Sequence, residues 1–211
     1  TTPLLSLIYP RAEQERMIAE EAGEEAGEEA GDERRWRVLV PIATLDRAHE
    51  LVNTALALAE ARGVRAQVVV LRALAAPGLR AGPTRMEAAT TGAMSSLRPL
   101  VEFVEGAGHD AVALALPAES VADAILRVAA ERRPDLVLMG WREPLFGRGL
   151  LDGVVGEVVE RAEADVAVLI DPTGRGTAVP KGGRIVVPFG GGFHESVGMD
   201  LALRLARTAA P

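Results

Sequence analysis

From Trp36 onward, short continuous apolar runs alternate with longer stretches whose apolar residues recur at helical spacing. Val38-Leu39-Val40-Pro41-Ile42 is the first run. Unbroken apolar runs of this length mark strands buried on both faces. Leu51, Ala55, Leu58 and Ala59 then repeat at helical spacing, with Asp46 as the expected cap and Gly63 as the expected stop. Ala66 to Leu71 is a second strand, and a Pro/Gly-containing loop is expected from Ala75 to about Gly92. Met94 to Val104 reads as helix despite Pro99. A third strand is expected over Ala111 to Leu116, followed by a helix capped by Ser120 and running to about Arg132. Leu136 to Gly140 is a fourth strand, and a glycine-containing loop leads to a helix from Gly153 to Ala162. Asp165 to Ile170 is a fifth strand. Strands and helices alternating in this way predict an α/β domain over residues 35–172, with a parallel sheet, helices on both faces and right-handed crossovers.

The flanks follow a different pattern. Residues 1–10, TTPLLSLIYP, are apolar and end at Tyr9-Pro10; they read as a docking segment or as the end of a membrane helix with Tyr9 and Arg11 at the interface. Residues 11–34 form an acidic Glu/Gly-rich linker in which Glu-Glu-Ala-Gly occurs three times, from Glu20, Glu24 and Glu28. Such low-complexity charge cannot bury a core. After a second linker over residues 173–182, an internal repeat begins at 183 and runs to 211. Arg184-Ile185-Val186-Val187-Pro188-Phe189 matches Arg37-Val38-Leu39-Val40-Pro41-Ile42. In the same register, Ala202-Leu203-Arg204-Leu205-Ala206 lies over Ala55-Leu56-Ala57-Leu58-Ala59. An ungapped match across a strand and a helix is best explained by duplication.

Composition narrows the function. Hydrophobic residues make up 48% of the chain and aromatics only 3%, so the core is built from Ala, Val and Leu. The absence of cysteine excludes disulfides and Cys-ligated zinc. A net charge of −7 opposes binding to nucleic acid, a polyanion. His49, His109 and His194 share no metal-ligand spacing, and His194-Glu195-Ser196 sits at an expected helix start, where Ser and Glu act as caps. No catalytic or metal site is expected.

Val40-Pro41 closing the first strand, five β/α units and a glycine loop after the fourth strand together resemble the universal stress protein family. That resemblance implies an open five-stranded parallel sheet of order 3-2-1-4-5, with the ligand crevice at the carboxyl ends of the strands, where the order reverses. ATP-binding members end the first strand with Val-Pro-x-Asp and carry Gly-x2-Gly-x9-Gly followed by Ser or Thr after the fourth. The spacing survives here as Gly140, Glu143, Gly153 and Val154, but the chemistry is degraded. Ala43 stands in place of the Asp, Glu143 adds charge where phosphates would lie, and Val154 has no hydroxyl. The resemblance gathers Ile42, Ala43, Gly140, Arg142, Gly147, Gly149, Gly153 and Val154 around the crevice, with ATP or AMP as the cofactor the family pattern offers. The lost groups argue that ATP binds weakly or not at all.

Thr1-Thr2-Pro3-Leu4-Leu5, Ile8-Tyr9-Pro10 and the Gly140-Trp141-Arg142 run resemble monovalent cation/proton antiporters that carry stress-protein-like tails. This implies a non-catalytic regulatory or dimerisation domain at the cytoplasmic face of the cell membrane, whose partner is the membrane domain of its own transporter. An adenine-nucleotide sensor is the alternative, and a slow ATP hydrolase ranks last because no base is poised against a phosphate. The helix around Met199 to Ala206 and an edge strand from Ile185 to Phe189 need a partner surface, on their own first domain or on a second chain, and the antiporter resemblance favours the second chain in a homodimer.

Overall fold

A computed structural model describes residues 35–75, 83–141, 153–170, 184–187 and 193–208. Five strands alternate with four helices, and a fifth helix follows. The strands are β1 (Trp36–Pro41), β2 (Ala66–Ala75), β3 (Asp110–Ala118), β4 (Leu136–Gly140) and β5 (Asp165–Leu169). The helices are α1 (Ala48–Glu60), α2 (Pro83–Gly106), α3 (Val121–Arg132), α4 (Gly153–Arg161) and α5 (Phe193–Thr208). The sheet is parallel throughout and ordered β3-β2-β1-β4-β5, as the resemblance implied. β1 is central: Val38 lies opposite Val68 on β2 and Leu136 on β4.

This order explains where the core sits. From β1 through β2 to β3 the chain steps one way, so right-handed crossovers place α1 and α2 on the same face. There Val38, Val40, Val68 and Val70 meet Val52, Ala55 and Leu56 of α1 and Leu97, Leu100 and Val104 of α2. The return to β4 and β5 places α3 and α4 on the opposite face. Leu39, Val69, Val137 and Met139 there meet Ile125 and Val128 of α3 and Val158 of α4. Alternate residues of one unbroken apolar run thus serve two cores, which is why the strands show no polar face.

Local signals set the helix ends. The Ser120 hydroxyl accepts a hydrogen bond from the Asp123 N–H at 3.1 Å and caps α3. Arg133 closes α3 in the left-handed region at φ 46°, and Pro134 cannot continue the helix. Gly63 takes φ 65° after α1. Asp46 does not cap α1; it lies within a short 3-10 turn, Leu45–Arg47, that precedes the helix.

Two expectations need correction in extent. The loop expected to run to Gly92 ends by Pro83, because a first-turn proline gives up no helix bond and Gly92 is tolerated within α2. Pro99 also lies inside α2, on its exposed side, while Leu97, Leu100 and Val104 anchor the helix. β2 and β3 run past Leu71 and Leu116, pairing Arg72 through Ala75 with Ala115 through Ala118 beyond the reach of β1.

The repeat is corrected more deeply. Residues 184–187 form no strand, and Val186 is 87% exposed; residues 188 and 189 lie outside the described residues. The helix does form, as α5, and packs on its own domain. Leu201 and Leu205 rest against the α1-side core, and Arg204 is buried. The Arg204 and Arg62 guanidinium carbons lie 5.7 and 5.6 Å from the Trp36 ring centroid, within cation–π range. Residues 1–34 and 173–182, which include the candidate membrane-helix end and both linkers, lie outside the described residues. Among the described residues no helix is long and apolar enough to cross a membrane.

Candidate functional site

The carboxyl ends of β1 and β4 flank the point where strand order reverses, and a crevice opens there. β1 enters it at Pro41, and the next N–H, that of Ile42, donates to the Leu71 carbonyl at 2.7 Å. That bond turns Ile42 into the core, where it is 3% exposed; it does not line the crevice. Ala43 does line it and presents a methyl group where a carboxylate would be needed to hold a ribose or a metal. Opposite stands Gly140, the last residue of β4. A Cβ on Gly140 would lie 3.3 Å from Leu51 Cδ1, a tight contact that would push the Leu51 side chain aside by a few tenths of an ångström.

Trp141 bounds the crevice. Its N–H donates to the Leu169 carbonyl at 3.0 Å, continuing the β4–β5 ladder by one residue. The residue is 7% exposed, so the ring is not free to stack on an incoming base. Its indole Nε1–H is buried without a hydrogen-bond partner. Arg47 donates from Nη1 to the Trp141 carbonyl at 3.5 Å and pairs through Nε with Glu50 Oε2 at 3.2 Å. Glu50 is itself buried, at 8% exposure. Arg47, Glu50 and Leu51 were not anticipated as lining residues. Their one sequence signal, an Arg and a Glu three apart at a helix start, is common in solvent-facing first turns.

The crevice is partly open and holds about 40 Å3 among the described residues, lined mostly by apolar atoms. A ligand pocket for a molecule of nucleotide size runs to about 300 Å3 or more. A site of 40 Å3 suits a few waters, each needing about 10–15 Å3. Gly153 and Val154 head α4 and are not among the residues lining this crevice. Gly153 adopts φ 73°, a left-handed turn into the helix, and Val154 is 37% exposed. Arg142, Glu143, Gly147 and Gly149 lie outside the described residues.

The two histidines whose side chains are described, His49 and His109, do not converge on this site. His109 Nδ1 accepts the Ala66 N–H at 3.1 Å, tying the start of β2 to that of β3. His49 meets Phe103 edge-on at 5.7 Å. Among the described residues no cluster of three or more His, Cys, Asp or Glu side chains could hold a metal ion.

Residues 34–169 match the sequence model of the universal stress protein family, and they span the five strands and four crossover helices just described. The chain belongs to the universal stress protein family. Solved members share its architecture. Universal stress protein UspA from Lactobacillus plantarum is 20% identical, with a TM-score of 0.51 over 65% of this chain and 99% of that one. A universal stress protein from Archaeoglobus fulgidus is 22% identical, with a TM-score of 0.48 over 63% of this chain and 92% of that one. A further universal stress protein, solved in complex with cAMP, is 21% identical, with a TM-score of 0.48 over 65% of this chain and 98% of that one. At such identities the likeness concerns the fold. A search of curated proteins finds no match.

Proposed function

We propose that this stress-protein domain is a non-catalytic regulatory module, carried as the cytosolic tail of a monovalent cation/proton antiporter and working as a homodimer. The observation that carries the non-catalytic part is the state of the crevice. Trp141, Leu51 and the Arg47–Glu50 pair line a crevice of only about 40 Å3, and Ala43 offers no carboxylate. A module with such a crevice acts by contact with a partner and not by turnover. The antiporter setting draws its support from the sequence of residues 1–10 and the Gly140-Trp141-Arg142 run. The test is the coding sequence immediately upstream of Thr1. An in-frame series of hydrophobic spans, each of about 20 residues, supports the tethered reading. An upstream reading frame without such spans contradicts it.

The second reading is an adenine-nucleotide sensor, and one observation favours it. Gly153 turns into α4 with a positive φ, and the first N–H groups of a helix entered this way can seat a phosphate without side-chain help. The double variant Glu143→Gly/Val154→Ser tests this reading by calorimetry. Tighter ATP binding in the variant favours a surviving anion seat; no binding in either chain removes the sensor reading.

A further inference from the structure

α5 stands apart from the other helices. Each of α1 to α4 joins two strands of the sheet, and α3, for example, buries Ala122, Ala124, Ile125 and Val128. α5 joins no strands among the described residues. Of its described side chains only Arg204 is buried, and Leu201 and Leu205 are partly buried against the core. Its main anchor is therefore a charged group. Burying a guanidinium is costly unless its charge is met. Asp200, one turn earlier, pairs with it, and the Trp36 ring lies under it at 5.7 Å. The same ring already carries Arg62 at 5.6 Å, so two like charges share one indole.

The seating is also incomplete. A groove of about 300 Å3 runs between α5 and the sheet, and its floor includes Trp36, Leu136 and Asp165. These are the first residues of β1, β4 and β5, so the groove lies at the amino-terminal end of the sheet, away from the crevice. α1 and α2 cover the β1–β2–β3 half of this face. The crossover geometry leaves the β4–β5 half without a helix of its own until α5 arrives.

We propose that α5 is a releasable cover over the amino-terminal ends of β1, β4 and β5, with Arg204 on Trp36 as its catch. Docked, it holds Trp36 at 4% exposure and shields the α1-side core around Leu136 and Leu138. Released, it bares the Trp36 ring and Leu136 among the charged side chains of Arg62, Asp135 and Asp165. The device gives the module two states without any ligand in the crevice, and it rests on the fold and not on the antiporter setting.

Hydrogen exchange on the full chain tests this directly. Helices that open locally exchange faster than the global unit. The α5 amides are expected to exchange about 100-fold faster than those of α1 and β1. Arg204→Ala should speed α5 exchange by about a further tenfold and leave α1 and β1 unchanged. In a Trp141→Phe background, Arg204→Ala should also shift Trp36 emission to the red. Arg204→Lys, which keeps the charge but loses the planar stacking, should fall between the two. The proposal is overturned if α5 exchanges as slowly as β1, if Arg204→Ala leaves α5 unchanged, or if that variant unfolds the whole domain.

Discussion

Residues 37–59 and 184–206 carry nearly the same pattern and meet opposite fates. Val38, Leu39 and Val40 are fully buried at the centre of the sheet, whereas their counterparts Ile185 to Val187 form no strand and Val186 is 87% exposed. Leu56 is 5% exposed and Leu203, its counterpart, 57%. In the second stretch the helix forms, whereas its described residues 184–187 form no strand. A helix closes its hydrogen bonds within itself, while a strand needs neighbours to accept its N–H and C=O groups. β1 has β2 on one side and β4 on the other; among the described residues no strand pairs with 184–187. α5 turns part of the same face inward but buries a narrower strip of it. It meets the first domain through Leu201 and Leu205, the counterparts of Thr54 and Leu58, and leaves the counterpart of Leu56 outside.

The sharpest way to break this comparison is a matched pair of truncations. Leu39→Ala should lower the unfolding free energy by about 2–5 kcal/mol, because a fully buried leucine leaves a cavity. Val186→Ala should change it by no more than about 0.5 kcal/mol. Urea denaturation of both variants checks this, and equal losses would mean that 184–187 is packed after all. Next in size is a pair within α5. Leu205→Ala should speed hydrogen exchange of that helix about tenfold, and Leu203→Ala should leave it unchanged. The smallest effect concerns a helix with a proper start. Ser120→Ala removes the cap on α3 and should lower global stability by about 1 kcal/mol, since α3 unfolds with the sheet.

The same contrast marks what the sequence could convey. All five strands, α1, α3 and α4 were legible because each apolar run fills a place between two cores, and the Ser120 cap and Gly63 stop are local. The start of α2 was not, because Pro83 and Gly92 read as loop residues, while Leu97, Leu100 and Val104 hold them in helix through tertiary burial. The run at 185–187 has a strand's pattern, yet among the described residues no strand pairs with it. In the crevice, the family spacing pointed to Ala43 and Gly140, both of which line it. It also pointed to Ile42, whose side chain turns into the core, and it passed over Arg47, Glu50 and Leu51, which α1 brings from the other side. Spacing within a motif cannot report which side chains a neighbouring helix inserts.

The most direct test of the small crevice is isothermal calorimetry of the full chain with ATP. With Trp141 buried, Ala43 in place of a carboxylate and about 40 Å3 of free space, binding should be weaker than about 1 mM, giving no measurable heat. A micromolar affinity would contradict this, showing that the crevice opens to admit the nucleotide and that backbone N–H groups hold it without the missing side chains.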